Sequence, residues 1–241
     1  MNQLLGKFAV VTGAAKGIGY SIAEKFLREG AEKVAMLDLA PIDTSAIDPT
    51  GKHAFAYTCN VGDAASVEAT FRQIYQDFGK IDILVNNAGI TRDAMFHKMT
   101  AEQWMMVINT NLNSAFFTCQ AVINQMRAQN SGRIINIASS SIQGNVGQCN
   151  YSAAKCGLVG LTKSLAKESG RKNITVNCIA PGATNTDMYK TVPEEIVEAT
   201  KKSIPFGRLA EPSEIANAVS FLASDDASFV SGQVIYVNGG K

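Results

Sequence analysis

The sequence predicts an α/β fold, a single Rossmann-like domain with a doubly wound, parallel, seven-stranded sheet and helices on both faces. Short β-rich apolar runs alternate with longer amphipathic stretches, the pattern of parallel strands joined by crossover helices. The runs are apolar on both faces, as in Phe8-Ala9-Val10-Val11 and Ile134-Ile135-Asn136-Ile137, as strands covered by helices on two sides require. A glycine-rich stretch, Thr12-Gly13-Ala14-Ala15-Lys16-Gly17-Ile18-Gly19, follows the first run and leads into a helical pattern containing Ile22, Ala23, Phe26 and Leu27.

Seven strands are expected, at 7–12, 33–38, 53–59, 81–86, 133–139, 174–180 and 233–238. The clearest helix is 101–128, where Trp104, Ile108, Leu112, Ala115, Phe116, Cys119, Ile123 and Met126 recur at three- and four-residue spacing. Thr100 followed by Gln103 has the form of a capping box. A second helix, 152–169, carries Ala153, Gly157, Gly160 and Ser164 on one side, small enough for another backbone to approach. The least regular stretch, 183–210, contains Pro193 and Pro205 and is expected to form a mobile cover over a substrate site. No repeat or linker divides the chain, so 1–241 reads as one domain.

Composition narrows the function classes. The 241 residues carry 22 basic and 21 acidic side chains, a net charge of +1, and only 18% are charged. Such a balance lacks the clustered positive surface that attracts nucleic acid or anionic lipid, so neither partner is expected. Hydrophobic residues make up 46%, enough to bury a core. The five cysteines never form C-x-x-C and the two histidines lack ligand-spaced partners, so no metal site is expected. No apolar run approaches the roughly 18 residues of a membrane span. A cytoplasmic location follows as an expectation.

The glycine-rich stretch has the chemistry of a phosphate cradle. Gly13, Gly17 and Gly19 allow close approach of a ligand, and Lys16, Ile18 and the helix start present N–H groups and a positive dipole end to a pyrophosphate. Its G-x-x-x-G-x-G spacing is a loose match to the general dinucleotide fingerprint. Asp38 lies 19 residues beyond Gly19, close to the offset at which a carboxylate accepts hydrogen bonds from an adenosine ribose. A carboxylate there repels a 2′-phosphate and favours NAD(H), whereas Lys16 offers charge to such a phosphate and keeps NADP(H) possible.

Tyr151 and Lys155 stand at i and i+4, on one face of a helix. A positive neighbour favours phenolate, but lowering a phenol by about 3 units takes roughly 4 kcal/mol of differential stabilisation. Lys155, partly desolvated, is expected to supply much of it, which would let Tyr151 act as a general acid or base near neutral pH.

Together, Thr12-Gly13-x-x-x-Gly17-Ile18-Gly19, Asn86-Asn87-Ala88-Gly89, Ser139, Tyr151-x-x-x-Lys155 and Pro181-Gly182 resemble the short-chain dehydrogenase/reductase family over essentially the whole chain. Gly89-Ile90-Thr91-Arg92-Asp93, Lys98-Met99-Thr100 and Thr110-Asn111-Leu112 resemble its branch of acyl-thioester reductases. The resemblance implies that Tyr151 protonates a carbonyl oxygen, Ser139 polarises it, and Lys155 holds the nicotinamide ribose and lowers the tyrosine pKa. It implies that Asn111 anchors a water relaying protons to Lys155. For the cofactor it implies that Asn87, Ala88 and Gly89 line the adenosine side and Asn60-Val61 flank the adenine. Thr184 and Thr186 would contact the nicotinamide carboxamide and phosphates, and Pro181 and Gly182 are implied as further cofactor-binding residues. Aligning from Gly132 selects Ser139, with Ser140 and Ser141 as alternatives. The implied substrate is a 3-oxoacyl thioester on acyl carrier protein or coenzyme A, with a free ketone, steroid or sugar alcohol as the alternative. A dinucleotide-binding module without chemistry is the rival from another class. Arg127, Arg133 and Lys172 are candidate contacts for an acidic carrier, and a homotetramer is expected.

Overall fold

The structure is a computed structural model describing residues 2–190 and 192–241. Its strands are β1 (Phe8–Thr12), β2 (Lys33–Asp38), β3 (Ala54–Thr58), β4 (Ile83–Asn86), β5 (Gly132–Ile137), β6 (Ile174–Pro181) and β7 (Val234–Val237). All pair in parallel, in the order β3-β2-β1-β4-β5-β6-β7. Each predicted strand is present with its ends moved by no more than about two residues. The chain reverses its direction of travel across the sheet between β1 and β4, which opens a crevice at the carboxyl ends of the central strands.

Two layers of helix cover the sheet because alternate strand residues point to opposite sides. Ala9, Val11, Val34, Met36 and Ile135 pack with Ile22 and Phe26 of α1 (Gly17–Arg28) and with Ile215 and Val219 of the last long helix, Pro212–Ala223. Val10, Ala35, Leu37, Leu84 and Ile134 pack on the other side. There they meet Val67, Phe71 and Ile74 of α2 (Ala64–Phe78) and residues from the helices that follow.

The predicted helix 101–128 is present but interrupted. It runs as α3 (Ala101–Ile108), a π-helical turn over Asn109–Asn113, and α4 (Ser114–Ala128). The cause is Asn111, whose side chain takes the Ile90 N–H at 2.8 Å and donates to the Ile90 carbonyl at 2.9 Å. These bonds hold the turn open. The wider turn also rotates the stripe, so Phe116, expected among the core positions, is 50% exposed while Thr118 beside it is buried. Thr100 and Gln103 form both halves of the capping box.

The next helix, α5 (Cys149–Ser169), begins three residues before the predicted 152 and so takes Tyr151 into its first turn. The 183–210 stretch carries α6 (Asp187–Lys190) and α7 (Glu194–Ser203); Thr191 lies outside the described residues. Its base is pinned where Ala210 donates to the Ala183 carbonyl at 3.0 Å and Asn185 to the Ala210 carbonyl at 2.8 Å. No residue of α7 is buried. The helix Pro212–Ala223, α8, then returns the chain to the sheet.

Candidate active site

The glycine-rich loop leaves β1 at the crevice. Gly13 has φ +63°, and a Cβ there would lie 2.7 Å from the Ala88 Cα. A Cβ on Gly19 would lie 2.2 Å from the Gly13 carbonyl oxygen. Loop and helix therefore approach as only glycine permits. Asn87 secures the loop from β4, its side-chain amide donating to the Thr12 and Gly13 carbonyls at 2.9 Å each. Thr12 Oγ1 in turn accepts from the Asn87 and Ala88 N–H groups at 3.0 and 3.1 Å. Lys16 heads α1 without a side-chain cap, so its side chain satisfies none of the first N–H groups of the helix.

Asp38, at the end of β2, stands beside this loop. One carboxylate oxygen accepts from Ala15 N at 3.0 Å and the other from Ala40 N at 3.1 Å. The carboxylate is thus held in place with further acceptor capacity on each oxygen. Lys16 pairs with Asp187 of α6 at 3.7 Å. Thr186 is close to the loop as well, its methyl 3.4 Å from where a Gly17 Cβ would be.

Across the crevice, Lys155 is 3% exposed and donates to the Ile137 carbonyl at 2.7 Å. Its ammonium lies 5.5 Å from the centre of the Tyr151 ring. Ser139 Oγ accepts the Ser141 N–H at 3.1 Å, and its hydroxyl stands near enough to Tyr151 to favour the phenolate. Ser139, Tyr151 and Lys155 therefore converge, whereas Ser141 is buried with its hydroxyl unpartnered. Gly89 separates Lys155 from Asn111: a Cβ there would lie 3.4 Å from Nζ and 3.3 Å from the Asn111 amide oxygen.

A family model described as Enoyl-(Acyl carrier protein) reductase matches residues 13–241. Over 99% of its length the chain is 44% identical to the 3-oxoacyl-[acyl-carrier-protein] reductase FabG of Vibrio cholerae, covering 98% of that protein. It is 44% identical to the FabG of Escherichia coli K12 over 98% of this chain and 97% of that one. It is 43% identical to the FabG of Chlamydia trachomatis over 98% of each. The chain belongs to the short-chain dehydrogenase/reductase family. As a member of that family it is an NAD(P)-dependent oxidoreductase.

The short-chain dehydrogenase/reductase constellation carries electrostatics that correct one expectation. The Tyr151 pKa lies above that of a free phenol, not below it. Burial opposes phenolate more strongly than the Ser139 hydrogen bond favours it, and the nearby Asp93 carboxylate adds to the rise. The Lys155 ammonium stands over the ring, 5.5 Å from its centre, and does not offset that burial. The lysine itself is pushed down to about 8 by burial.

Other expected residues are placed as follows. Asn60 is exposed, its side-chain oxygen taking the Gly62 N–H at 3.1 Å, and Val61 is buried in the core beneath it. Pro181 ends β6, and Gly182 packs so tightly that a Cβ would be 2.8 Å from the Asn238 Cα. Thr184 is buried and donates to the Gly182 carbonyl at 3.0 Å. Arg133 lies at the start of β5, the end opposite Ile137, and donates to Asp225 at 3.0 Å.

Asn150 was not singled out in the sequence. It is fully buried, accepts the Tyr151 N–H at 2.8 Å and donates to the Arg92 carbonyl at 3.0 Å. It thus ties the first turn of α5 to the segment carrying Asp93, and an asparagine directly before a motif tyrosine was its only signal. Among the described residues no three metal-ligating side chains cluster, and no helix is long and apolar enough to cross a membrane.

Proposed function

We propose that the chain reduces the 3-oxo group of an acyl thioester, carried on acyl carrier protein or coenzyme A in the cytoplasm, with NAD(H) as the favoured cofactor. The observation that carries this reading is the convergence of the Ser139 and Tyr151 hydroxyls beside the Lys155 ammonium. Two hydroxyl donors suit an oxygen that gains negative charge as its carbon is reduced.

The residues present fit a dinucleotide. The Gly13–Gly19 cradle suits a pyrophosphate and the Asp38 carboxylate suits ribose hydroxyls. Lys155, with one hydrogen bond among the described residues, has N–H groups to give a second ribose. A bound nicotinamide supplies hydride to the carbonyl carbon and, once oxidised, a positive charge that favours phenolate. Tyr151 donates its proton to the nascent alkoxide, and its raised pKa keeps that proton in place beforehand. Ser139 stabilises first the alkoxide and then the phenolate. Lys155 returns a proton to Tyr151, replenished through water held between it and Asn111 in the space Gly89 leaves.

Asp38 favours NAD(H), because a 2′-phosphate beside a fixed carboxylate meets close like-charge repulsion. Asp187 draws on the Lys16 charge that would otherwise attract such a phosphate. The stretch 183–210 is the proposed mobile cover: its base is pinned, while α7 lacks the buried contacts that would hold it rigid.

The description of the family model raises a second reading, reduction of an enoyl double bond. Steady-state assays with acetoacetyl-CoA, crotonyl-CoA and a panel of ketones and steroids, each with NADH and NADPH, separate the readings. The expected result is turnover of acetoacetyl-CoA with NADH preferred. Turnover of crotonyl-CoA alone, or of a free ketone alone, would replace the 3-oxoacyl reading; cofactor binding with no turnover would leave a binding module.

A further inference from the structure

We propose that Thr162 is a positioning residue for the reaction, fixing α5 against β5 so that Tyr151 meets Ser139. This rests on the carbonyl-reductase reading above.

A polar rung crosses the sheet beneath the site. Asn86, Asn136 and Cys178 are register partners on β4, β5 and β6, all on the side covered by α4 and α5. Thr118 Oγ1 donates to the Asn86 side-chain oxygen at 2.6 Å, and the Asn86 amide donates to the Asn136 side-chain oxygen at 2.9 Å. The Asn136 amide donates to Thr162 Oγ1 at 2.8 Å, and Thr162 also stands near enough to Cys178 to favour its thiolate. Thr118, Asn136, Thr162 and Cys178 are fully buried. A polar chain so deep is costly wherever a partner is missing, so its geometry is strongly enforced.

The rung ends where the site begins. Asn136 precedes Ile137, whose carbonyl receives Lys155, and Thr162 lies two turns along α5 from Lys155 on the same face. The helix is thus tied to one end of β5 by two polar bonds, one at Lys155 and one at Thr162. One tie leaves α5 free to rotate or slide, whereas two ties two turns apart set both. Ser139 extends from β5 and Tyr151 projects from α5. Their hydroxyls face each other only at one register of helix on strand, and small misplacements of reacting groups cost large factors in rate.

The test uses the full chain with three variants. Thr118→Val and Thr162→Val each remove one hydroxyl from the same rung, and each is expected to lower Tm by several degrees. NADH affinity, followed by fluorescence titration, should stay within about twofold of wild type in Thr118→Val and within about tenfold in Thr162→Val, where the Gly13–Gly19 loop and Asp38 are untouched and only the Lys155 contact to the ribose shifts. Only Thr162→Val should lower kcat on acetoacetyl-CoA by about tenfold or more, with KM little changed. Thr162→Ser, which restores the hydroxyl, should recover most of that loss. If Thr162→Val does not fold, Thr162→Cys, a weak hydrogen-bonding replacement, takes its place with the same expectation. Wild-type kcat in Thr162→Val, an equal kcat loss in Thr118→Val, or no recovery in Thr162→Ser would each overturn the assignment. A wild-type protein inactive on every carbonyl tested would instead remove the reaction itself.

Discussion

Lys155 carries a charge that its surroundings resist. The ammonium is buried with one carbonyl partner, and burial lowers its pKa to about 8 from 10.5. Below pH 8 the lysine is protonated folded and unfolded alike, and the folded protein bears the whole desolvation cost. Between about 8 and 10.5 the unfolded chain holds the proton that the folded one has released, so this contribution to stability rises with pH. Its size is on the order of 3 kcal/mol. Lys155→Met, which keeps the apolar stem, should therefore be more stable than wild type at pH 7, with the gap closing as pH approaches 10. A gap independent of pH in thermal melts would contradict this. Tyr151 has the opposite sign: its raised pKa makes the folded state retain a proton above pH 10, lowering stability there. The same retained proton makes it the acid, so Tyr151→Phe should lower turnover by about a hundredfold or more, roughly 3 kcal/mol of barrier. Dinucleotide affinity measured by titration should change little.

The elements around the site depend on close approaches that only small residues allow. A Cβ on Gly19 would meet the Gly13 carbonyl at 2.2 Å and the Asn87 amide at 2.5 Å. Both groups already bond to each other, so neither yields without breaking the clamp. Gly19→Ala should weaken NADH binding by about a hundredfold or more, because the N–H cradle at the start of α1 loses its shape. An unchanged Kd in fluorescence titration would show that the cradle lies elsewhere. This loop was legible in the sequence because glycine spacing, strand and helix follow one another within a few residues. Tyr151 and Lys155 were legible for the same reason, a spacing fixed by one helical turn. Asn111 was legible only through the family resemblance, and the π turn that its side chain holds open at Ile90 was not foreseen. The amide directions of Asn86 and Asn87, and the pairing of Asn136 with Thr162, were not legible. They join residues far apart in sequence and depend on which strands become neighbours. The burial that raises the Tyr151 pKa was hidden too, since the i, i+4 spacing places two side chains on one face without saying how deep they lie.

At the scale of the whole molecule, alternating apolar runs were enough to foresee the sheet and its two helical layers. They did not reveal which apolar residues stay outside. Phe221 on α8, Phe229 in the turn before β7, and Tyr236 on β7 are 42%, 102% and 41% exposed, and β7 is a sheet edge. A second group, Met105, Met106 and Phe116, is exposed along α3 and α4 at 49%, 37% and 50%. A nearly neutral chain, at +1, has little net repulsion to keep such surfaces apart. Two separate apolar surfaces on one protomer allow two different self-complementary contacts, which is the geometric requirement for a closed tetramer of dihedral symmetry. The proposed homotetramer should therefore give a light-scattering mass well above the 25.7 kDa protomer at micromolar concentration. Phe229→Asp puts a charge on the surface around β7 and should reduce the assembly to a dimer held by α3 and α4. Adding Met106→Asp should reduce it to a monomer. A monomeric mass for the unaltered chain, or an assembly indifferent to both substitutions, would show that these apolar side chains face water in the free protein.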